Sequence, residues 1–353
     1  MELDEWATNA LRLLESGLAG VSKAGIVFPP TPDGISSSVI MEEVLSQRGI
    51  EPELITSTPE SAIDVIESCS GRCDSLMFLD LPPHGRGPIQ VSSELYRSVI
   101  ILDHGSTPLL SYKNTVRVSL DSPGISTSLL AYLIAVEADE NNDLLSWVAS
   151  GGFFGKCTSE VCEGVLEKAR LSWPELLDEN SIRTVQEALV AASFLGEDWV
   201  YLAASALGES FDDPDWFLSG TSATASLIRS KIADVNREID SLLDEPAFES
   251  RSLAGWEVQE SYQRFVVSLV AHERGFPFAV SYFYDPPLGL IYVAGDPQVD
   301  LFPLTREAMG EMEGSVFGGR GFSSLIVDSD RMGEFIESLA RILQRNQPNP
   351  PAA

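Results

Sequence analysis

The chain has 353 residues, 44% of them hydrophobic, enough apolar material for more than one core, so two domains are the expectation. A net charge of −30 and a pI near 4.3 argue against general attraction to nucleic acid, because binding to phosphates depends on Lys and Arg. With five lysines, eighteen arginines and acids scattered over the whole length, the composition suits a saline cytoplasm, where acidic surface keeps a protein soluble and local basic grooves persist.

The amino terminus carries acid in Met1–Glu5, where a secretion signal would carry base, and Trp6–Leu14 reads as an amphipathic helix. Gly25–Phe28 is a short buried strand ending in Pro29-Pro30. Ser36–Arg48 follows as a helix, with Ser36 or Ser37 near its N-cap and Gly49 beyond its end. Glu53–Thr56 reads as a strand, Pro59–Ser68 as a helix, and Ser75–Leu79 and Ser98–Leu102 as two more strands. Strand and helix at this interval predict parallel βαβ units. The four cysteines, Cys69, Cys73, Cys157 and Cys162, lack CxxC spacing, and His84, His104 and His272 lie far apart. Reduced thiols and no structural disulfide are expected.

Ser126–Val136 opens a helix after Asp121-Ser122-Pro123-Gly124. It includes the longest apolar run, Leu129–Val136, whose eight residues fall far short of the roughly 20 needed to cross a bilayer. A cytoplasmic protein without a membrane partner is expected. The text stays helical to about Glu245; Thr221–Leu243 reads as one long helix, either a rigid connector or one more core helix. Beyond Pro246, Phe265–Ala271, Phe278–Tyr284 and Leu290–Ala294 read as strands, with Asp285-Pro286-Pro287-Leu288-Gly289 as the turn between the last two. Gly318-Gly319-Arg320-Gly321 precedes a final strand, Ser323–Val327, and Met332–Leu343 closes as a helix. The expected division is a first domain over 1–185, a helical connector over 186–246, a second domain over 247–343 and a mobile tail over 344–353.

Three segments carry the chemistry: T-P-D-G-I-S at Thr31–Ser36, L-M-F-L-D-L-P at Leu76–Pro82, and I-I-L-D-H-G at Ile100–Gly105. In the last two an apolar run ends directly in an aspartate, and in the first Asp33 lies in the turn after the Gly25–Phe28 strand. A parallel sheet delivers carboxylates to the carboxyl edge of its strands in this way. Asp33, Asp80, Asp103 and His104 are therefore candidate ligands for one Mn²⁺ or Mg²⁺ ion.

In order and wording the segments resemble the DHH phosphoesterase superfamily, which includes RecJ-type exonucleases. The superfamily's first motif is H-x-D-x-D-G; Pro29, Thr31 and Asp33 stand at its ligand positions. Asp80 matches the second motif, and Asp103, His104 and Gly105 stand at D-H-H. Trp147–Lys156 takes the place of the fourth motif with no acid. A two-metal hydrolase needs about the full set, so the resemblance with these losses implies a degenerate centre with no assured catalytic residue. The associated domain's G-G-G-H loop is matched by Gly318, Gly319, Arg320 and Gly321, which implies a phosphate or nucleic-acid contact.

The resemblance implies an α/β fold of two domains, an N-terminal parallel-sheet domain and a smaller mixed-sheet one, joined by helices. It also implies a RecJ-like binding or scaffold component of DNA replication or repair. Its suggested partners are a GINS-type factor and an MCM-type helicase, as for the catalytically dead RecJ relative in the eukaryotic replicative helicase, with single-stranded nucleic acid as a further ligand. The alternative is a Mn- or Mg-dependent phosphoesterase acting on single-stranded nucleic acid or small nucleotides.

Overall fold

The computed structural model describes residues 3–81, 86–104, 112–120, 122, 124–153, 159–250 and 252–346. The chain divides into two compact units, Met1–Arg237 and Glu238–Ala353.

The first unit opens with α1 (Leu3–Gly17), which buries Trp6, Ala7, Ala10 and Leu14 on one face. Then come β1 (Lys23–Phe28), α2 (Pro32–Gln47), β2 (Glu51–Thr56), α3 (Ala62–Ser68), β3 (Ser75–Leu79), α4 (Arg86–Leu95), β4 (Ser98–Asp103) and β5 (Thr115–Ser119). The strands form one all-parallel sheet in the order β2-β1-β3-β4-β5, in register at Val27↔Ile55, Val27↔Phe78, Phe78↔Ile101 and Leu102↔Val118. Every residue of β3 and β4 is buried, as a parallel strand covered on both faces requires. Such strands read as unbroken apolar runs, so their limits follow from the sequence almost to the residue.

Helices α5 (Thr127–Ala138), α6 (Ser146–Gly152), α7 (Glu160–Ser172), α8 (Glu179–Leu195), α9 (Glu197–Glu209), α10 (Pro214–Leu218) and α11 (Ala223–Arg229) complete this unit. Val185, Leu189, Val200, Phe217 and Ile228 share one core with Ile26, Met77 and Leu102 of the sheet, so α8 to α11 pack as part of the unit. The single helix expected over Thr221–Leu243 is two, α11 and α12 (Ile232–Leu243). The chain breaks at Ser230 and Lys231, where Lys231 N–H closes a tight turn on the Ile228 carbonyl and the ammonium stacks over Trp199. Apolar spacing of three and four continues across a break, which is why periodicity misses it.

The second unit contains β6 (Phe248–Glu249), β7 (Ala254–Glu257), α13 (Gln263–Glu273), β8 (Phe278–Asp285), β9 (Leu288–Gly295), α14 (Leu301–Met309), β10 (Gly314–Gly319), β11 (Phe322–Asp328) and α15 (Met332–Asn346). Its sheet runs β10-β11-β9-β8-β7-β6 and is mixed, since β7 pairs with β8 in parallel and the other neighbours are antiparallel. Val280, Ile291, Val293, Leu325 and Val327 point to one face, where Leu301, Met309, Phe335 and Leu339 of α14 and α15 cover them.

The strand expected at Phe265–Ala271 is the helix α13. All residues from Gln263 to Ala271 are buried, and a short, wholly buried apolar run has no polar face by which period two and period 3.6 can be told apart. Likewise α2 starts at Pro32, four residues before the expected Ser36, with Thr31 as its N-cap. The cysteines need a further correction. Cys69 and Cys73 are free thiols, but Cys162 is disulfide-bonded. Compartment statistics set the expectation, whereas bond formation depends on local approach of two sulfurs; Cys157 lies outside the described residues. Among those residues no helix is long and apolar enough to cross a membrane.

Candidate metal centre

In a parallel sheet ordered 2-1-3-4-5, the crevice for ligands opens beyond the carboxyl ends of the two strands between which the connections change direction, here β1 and β3. Asp33 lies just past β1 and Asp80 just past β3. Asp103 ends β4, with His104 directly after it. All four are buried, Asp33 and Asp103 to within 1% of full burial.

Local chemistry fixes each of them. Thr31 caps α2 by accepting the Gly34 N–H on Oγ1 at 3.0 Å, and Pro32 occupies the first helical position, where no N–H is needed. Thr31, which stands where the superfamily's motif has a ligand aspartate, therefore spends its side-chain oxygen on the cap. Gly34 is required as glycine: a Cβ there would meet the Pro29 carbonyl oxygen at 2.3 Å. Asp33 then reaches the N-terminus of α5. Its Oδ2 accepts the Thr127 N–H at 3.0 Å and its Oδ1 accepts the Ser128 N–H at 2.7 Å. Ser126 Oγ accepts the Leu129 N–H at 3.1 Å, so the first three amides of α5 all have acceptors, and the helix dipole favours the carboxylate.

Asp80 holds φ = +52°, the one positive φ outside glycine among the described residues. Such a conformation is costly for a residue with a side chain and persists where the surroundings impose it. Here the Asp80 N–H donates to the Leu102 carbonyl at 3.1 Å, turning the carboxylate towards α5 and His104. Thr127 Oγ1 donates to Asp80 Oδ1 at 3.2 Å, and His104 Nδ1 lies 3.2 Å from the same oxygen and 3.0 Å from Thr127 Oγ1. Asp80 and Thr127 thus share one ring nitrogen.

Of the four expected ligands, Asp33, Asp80 and His104 each bring a ligand atom to within 4.8 Å of the others. Two carboxylates and an imidazole suit one Mn²⁺ or Mg²⁺ ion, so the donor set fits a single hard cation. Asp103 faces a different partner. Arg117 of β5 donates from Nε and Nη2 to Asp103 Oδ1, both at 3.1 Å, and from Nη2 to Oδ2 at 2.9 Å.

The segment in the place of the fourth motif is α6. A Cβ on Gly152 would lie 2.6 Å from Ser128 Oγ and 2.8 Å from the Cβ atoms of Ser128 and Ser36, and one on Gly151 would lie 2.8 Å from Val185. At Gly152 α6 therefore lies so close to α2 and α5 that a side chain would force them apart, and at Gly151 so close to α8 that Val185 would have to shift; Gly105, Gly155 and Lys156 lie outside the described residues.

The glycine loop is the β10–β11 hairpin. Gly319 pairs with Phe322, leaving Arg320-Gly321 as the turn, with Gly321 at φ = +78°. A Cβ on Gly318 would meet the Phe322 carbonyl oxygen at 2.7 Å, so these two glycines answer first to the hairpin. Arg320 Nη1 donates to the Gln298 carbonyl at 3.0 Å.

Sequence reasoning missed Thr127, Ser128 and Arg117. The S-T-S start of α5 and an arginine inside the strand T-V-R-V-S were the available signals, and neither says which carboxylate it meets.

No family model and no curated protein matches the chain. Solved structures do. RecJ from Thermus thermophilus, in complex with Mn²⁺, superposes with a TM-score of 0.64 at 15% identity, covering 98% of this chain and 55% of that one. This chain thus corresponds to about half of that RecJ. A DHH-domain protein described as a member of a family of ribosomal proteins gives 0.65 at 12% identity, with 97% and 92% covered. CDC45 from Entamoeba histolytica gives 0.53 at 10%, with 97% and 98% covered. The sheet orders, the acids at the carboxyl edge and these likenesses together place the chain in the RecJ-like DHH fold.

Proposed function

We propose that this is a RecJ-like protein whose hydrolytic centre has been reduced to one cation site and which works as a binding component in DNA replication or repair. The observation that carries the reading is the ligand count. Among the described residues three, Asp33, Asp80 and His104, form the metal-capable group, and the described part of the helix in the place of the fourth motif offers glycine packed against Ser36 and Ser128. In-line phosphodiester hydrolysis with two ions needs carboxylates to neutralise both and to leave room for an attacking hydroxide. A single ion held by Asp33, Asp80 and His104 would supply a positive charge able to bind a phosphate oxygen. The likeness to CDC45 supports a replication role; a GINS-type factor and an MCM-type helicase as partners, and the Arg320 hairpin as a phosphate contact, are what the motif resemblance implies.

The test is hydrolysis of single-stranded DNA, RNA and dinucleotides with Mn²⁺, at low and high salt because so acidic a chain is self-repelling in dilute buffer. Turnover no higher than background is expected. Robust hydrolysis that disappears in an Asp33→Ala, Asp80→Ala double variant would establish the phosphoesterase alternative instead.

A further inference from the structure

Thr127 touches every member of the cation group. It is the first residue of α5 and is fully buried. Its amide donates to Asp33 Oδ2 at 3.0 Å, its hydroxyl donates to Asp80 Oδ1 at 3.2 Å, and the same hydroxyl oxygen lies 3.0 Å from His104 Nδ1. His104 Nδ1 is in turn 3.2 Å from Asp80 Oδ1, so hydroxyl, carboxylate oxygen and ring nitrogen form a closed triangle. A threonine hydroxyl has one hydrogen, and here Asp80 receives it, so Oγ1 faces the ring with a lone pair. Two oxygen acceptors then converge on Nδ1. That nitrogen carries a hydrogen, and in the neutral imidazole the lone pair is on Nε2.

We propose that Thr127 is the positioning residue of the cation centre, holding Asp33 through its amide and Asp80 and His104 through its hydroxyl so that the imidazole presents Nε2 to the ion. This rests on the three-ligand reading of Asp33, Asp80 and His104. A metal-binding histidine is oriented by the hydrogen bond at its other ring nitrogen, and the partner there sets both the ring angle and the donor atom. Threonine suits that task. Its β-branch restricts χ1, so the direction of the hydroxyl follows from the backbone. The backbone is fixed in turn, because Leu129, Leu130 and Ala131 are buried in one core with Ile26 and Leu102 of the sheet, and α5 cannot slide without unpacking them. The three ligands come from separate segments, 94, 47 and 23 residues before Thr127, and meet on this one side chain and its amide.

The experiment uses the whole chain and three readouts: Mn²⁺ affinity by calorimetric titration, imidazole nitrogen coupling to bound Mn²⁺ by electron spin-echo modulation, and the His104 tautomer of the metal-free protein by nitrogen–proton correlation of isotope-labelled histidine, assigned with His104→Gln. The parent should bind Mn²⁺ with a nitrogen coupling and, metal-free, carry the hydrogen on Nδ1. Thr127→Val keeps the branched shape without the hydroxyl and should bind Mn²⁺ about 10- to 100-fold more weakly, the usual loss when the partner of a metal-binding histidine is removed. Thr127→Ser keeps the hydroxyl and should stay within a few-fold of the parent. If Thr127→Val does not fold, Thr127→Ala, which also lacks the hydroxyl, takes its place beside the tautomer measurement. Parent affinity in the variant without a hydroxyl, a Thr127→Ser protein as weak as that variant, or a metal-free parent with the hydrogen on Nε2 alone would each overturn the role of Thr127. A parent with the hydrogen on Nδ1 that binds no Mn²⁺, or binds it without nitrogen coupling, would instead overturn the three-ligand reading, and the positioning role with it.

Discussion

Replacing Gly152 by alanine tests whether α6 leaves any room beside the centre. The added methyl would lie 2.6 Å from Ser128 Oγ and 2.8 Å from the Cβ atoms of Ser128 and Ser36. The hydroxyl can rotate away, but the two Cβ atoms are fixed to α5 and α2, so relief requires the helices to separate. Overpacking of this kind costs about 1–3 kcal/mol. Against it stands the gain from replacing glycine in a helix, up to about 1 kcal/mol and less at Gly152, the last residue of α6. Sterics should win, with a net loss of roughly 1–2 kcal/mol. Gly164, in the exposed middle of α7, is the control: nothing lies within 4 Å of its added Cβ, so Gly164→Ala should gain about 0.5–1 kcal/mol. Urea unfolding followed by tryptophan fluorescence and circular dichroism gives both numbers from midpoints at a common slope. Adding Ser128→Gly to Gly152→Ala should restore part of the loss. A Gly152→Ala protein as stable as the parent, or a Gly164→Ala protein equally damaged, would refute the close approach of α6 and the reason given for its lack of an acid.

Two further outcomes are expected. Arg320→Ala should weaken binding to single-stranded DNA by about 1–3 kcal/mol, the scale of one charge-assisted hydrogen bond, in a filter or anisotropy assay; unchanged affinity would remove the hairpin from the contact. Asp74 accepts the Ser22 hydroxyl at 2.6 Å and the Ser22 and Lys23 amides at 2.8 and 3.1 Å, and these bonds, led by the hydroxyl, hold its carboxyl below the usual 3.8. A lowered folded value means its stabilisation is present at neutral pH and is lost as pH falls through that value. The stability gap between the parent and Asp74→Asn, followed by thermal melting from pH 7 downwards, should therefore close on the acid side, and a gap that widens there would contradict the assignment.

Much of the first unit was legible because a strand buried on both faces leaves an unambiguous trace. β3 over Ser75–Leu79 matches the expectation to the residue, and Asp80 and Asp103 follow from where such strands stop. The amphipathic first helix and the β8–β9 hairpin were equally readable, from period 3.6 and from a turn between two aromatic and β-branched runs. These signals reach only a few residues along the chain. α13 lay beyond them because its burial on all sides erased the polar face that distinguishes a helix from a strand.

The sequence by itself determined the class of fold and the strand ends at which acids gather, since both follow from local hydrophobic pattern and from the rule that parallel sheets present ligands at their carboxyl edge. What those acids are bonded to was decided only in three dimensions. Asp33 meets amides 94 and 95 residues away because α2 and α5 pack side by side, and Asp103 meets Arg117 because β4 and β5 adopt one register. A shift of that register by one residue would put the arginine on the other face of the sheet, because side chains along a strand alternate between its two faces. Partner choice at a buried carboxylate therefore depends on packing and register, which no short stretch of sequence encodes.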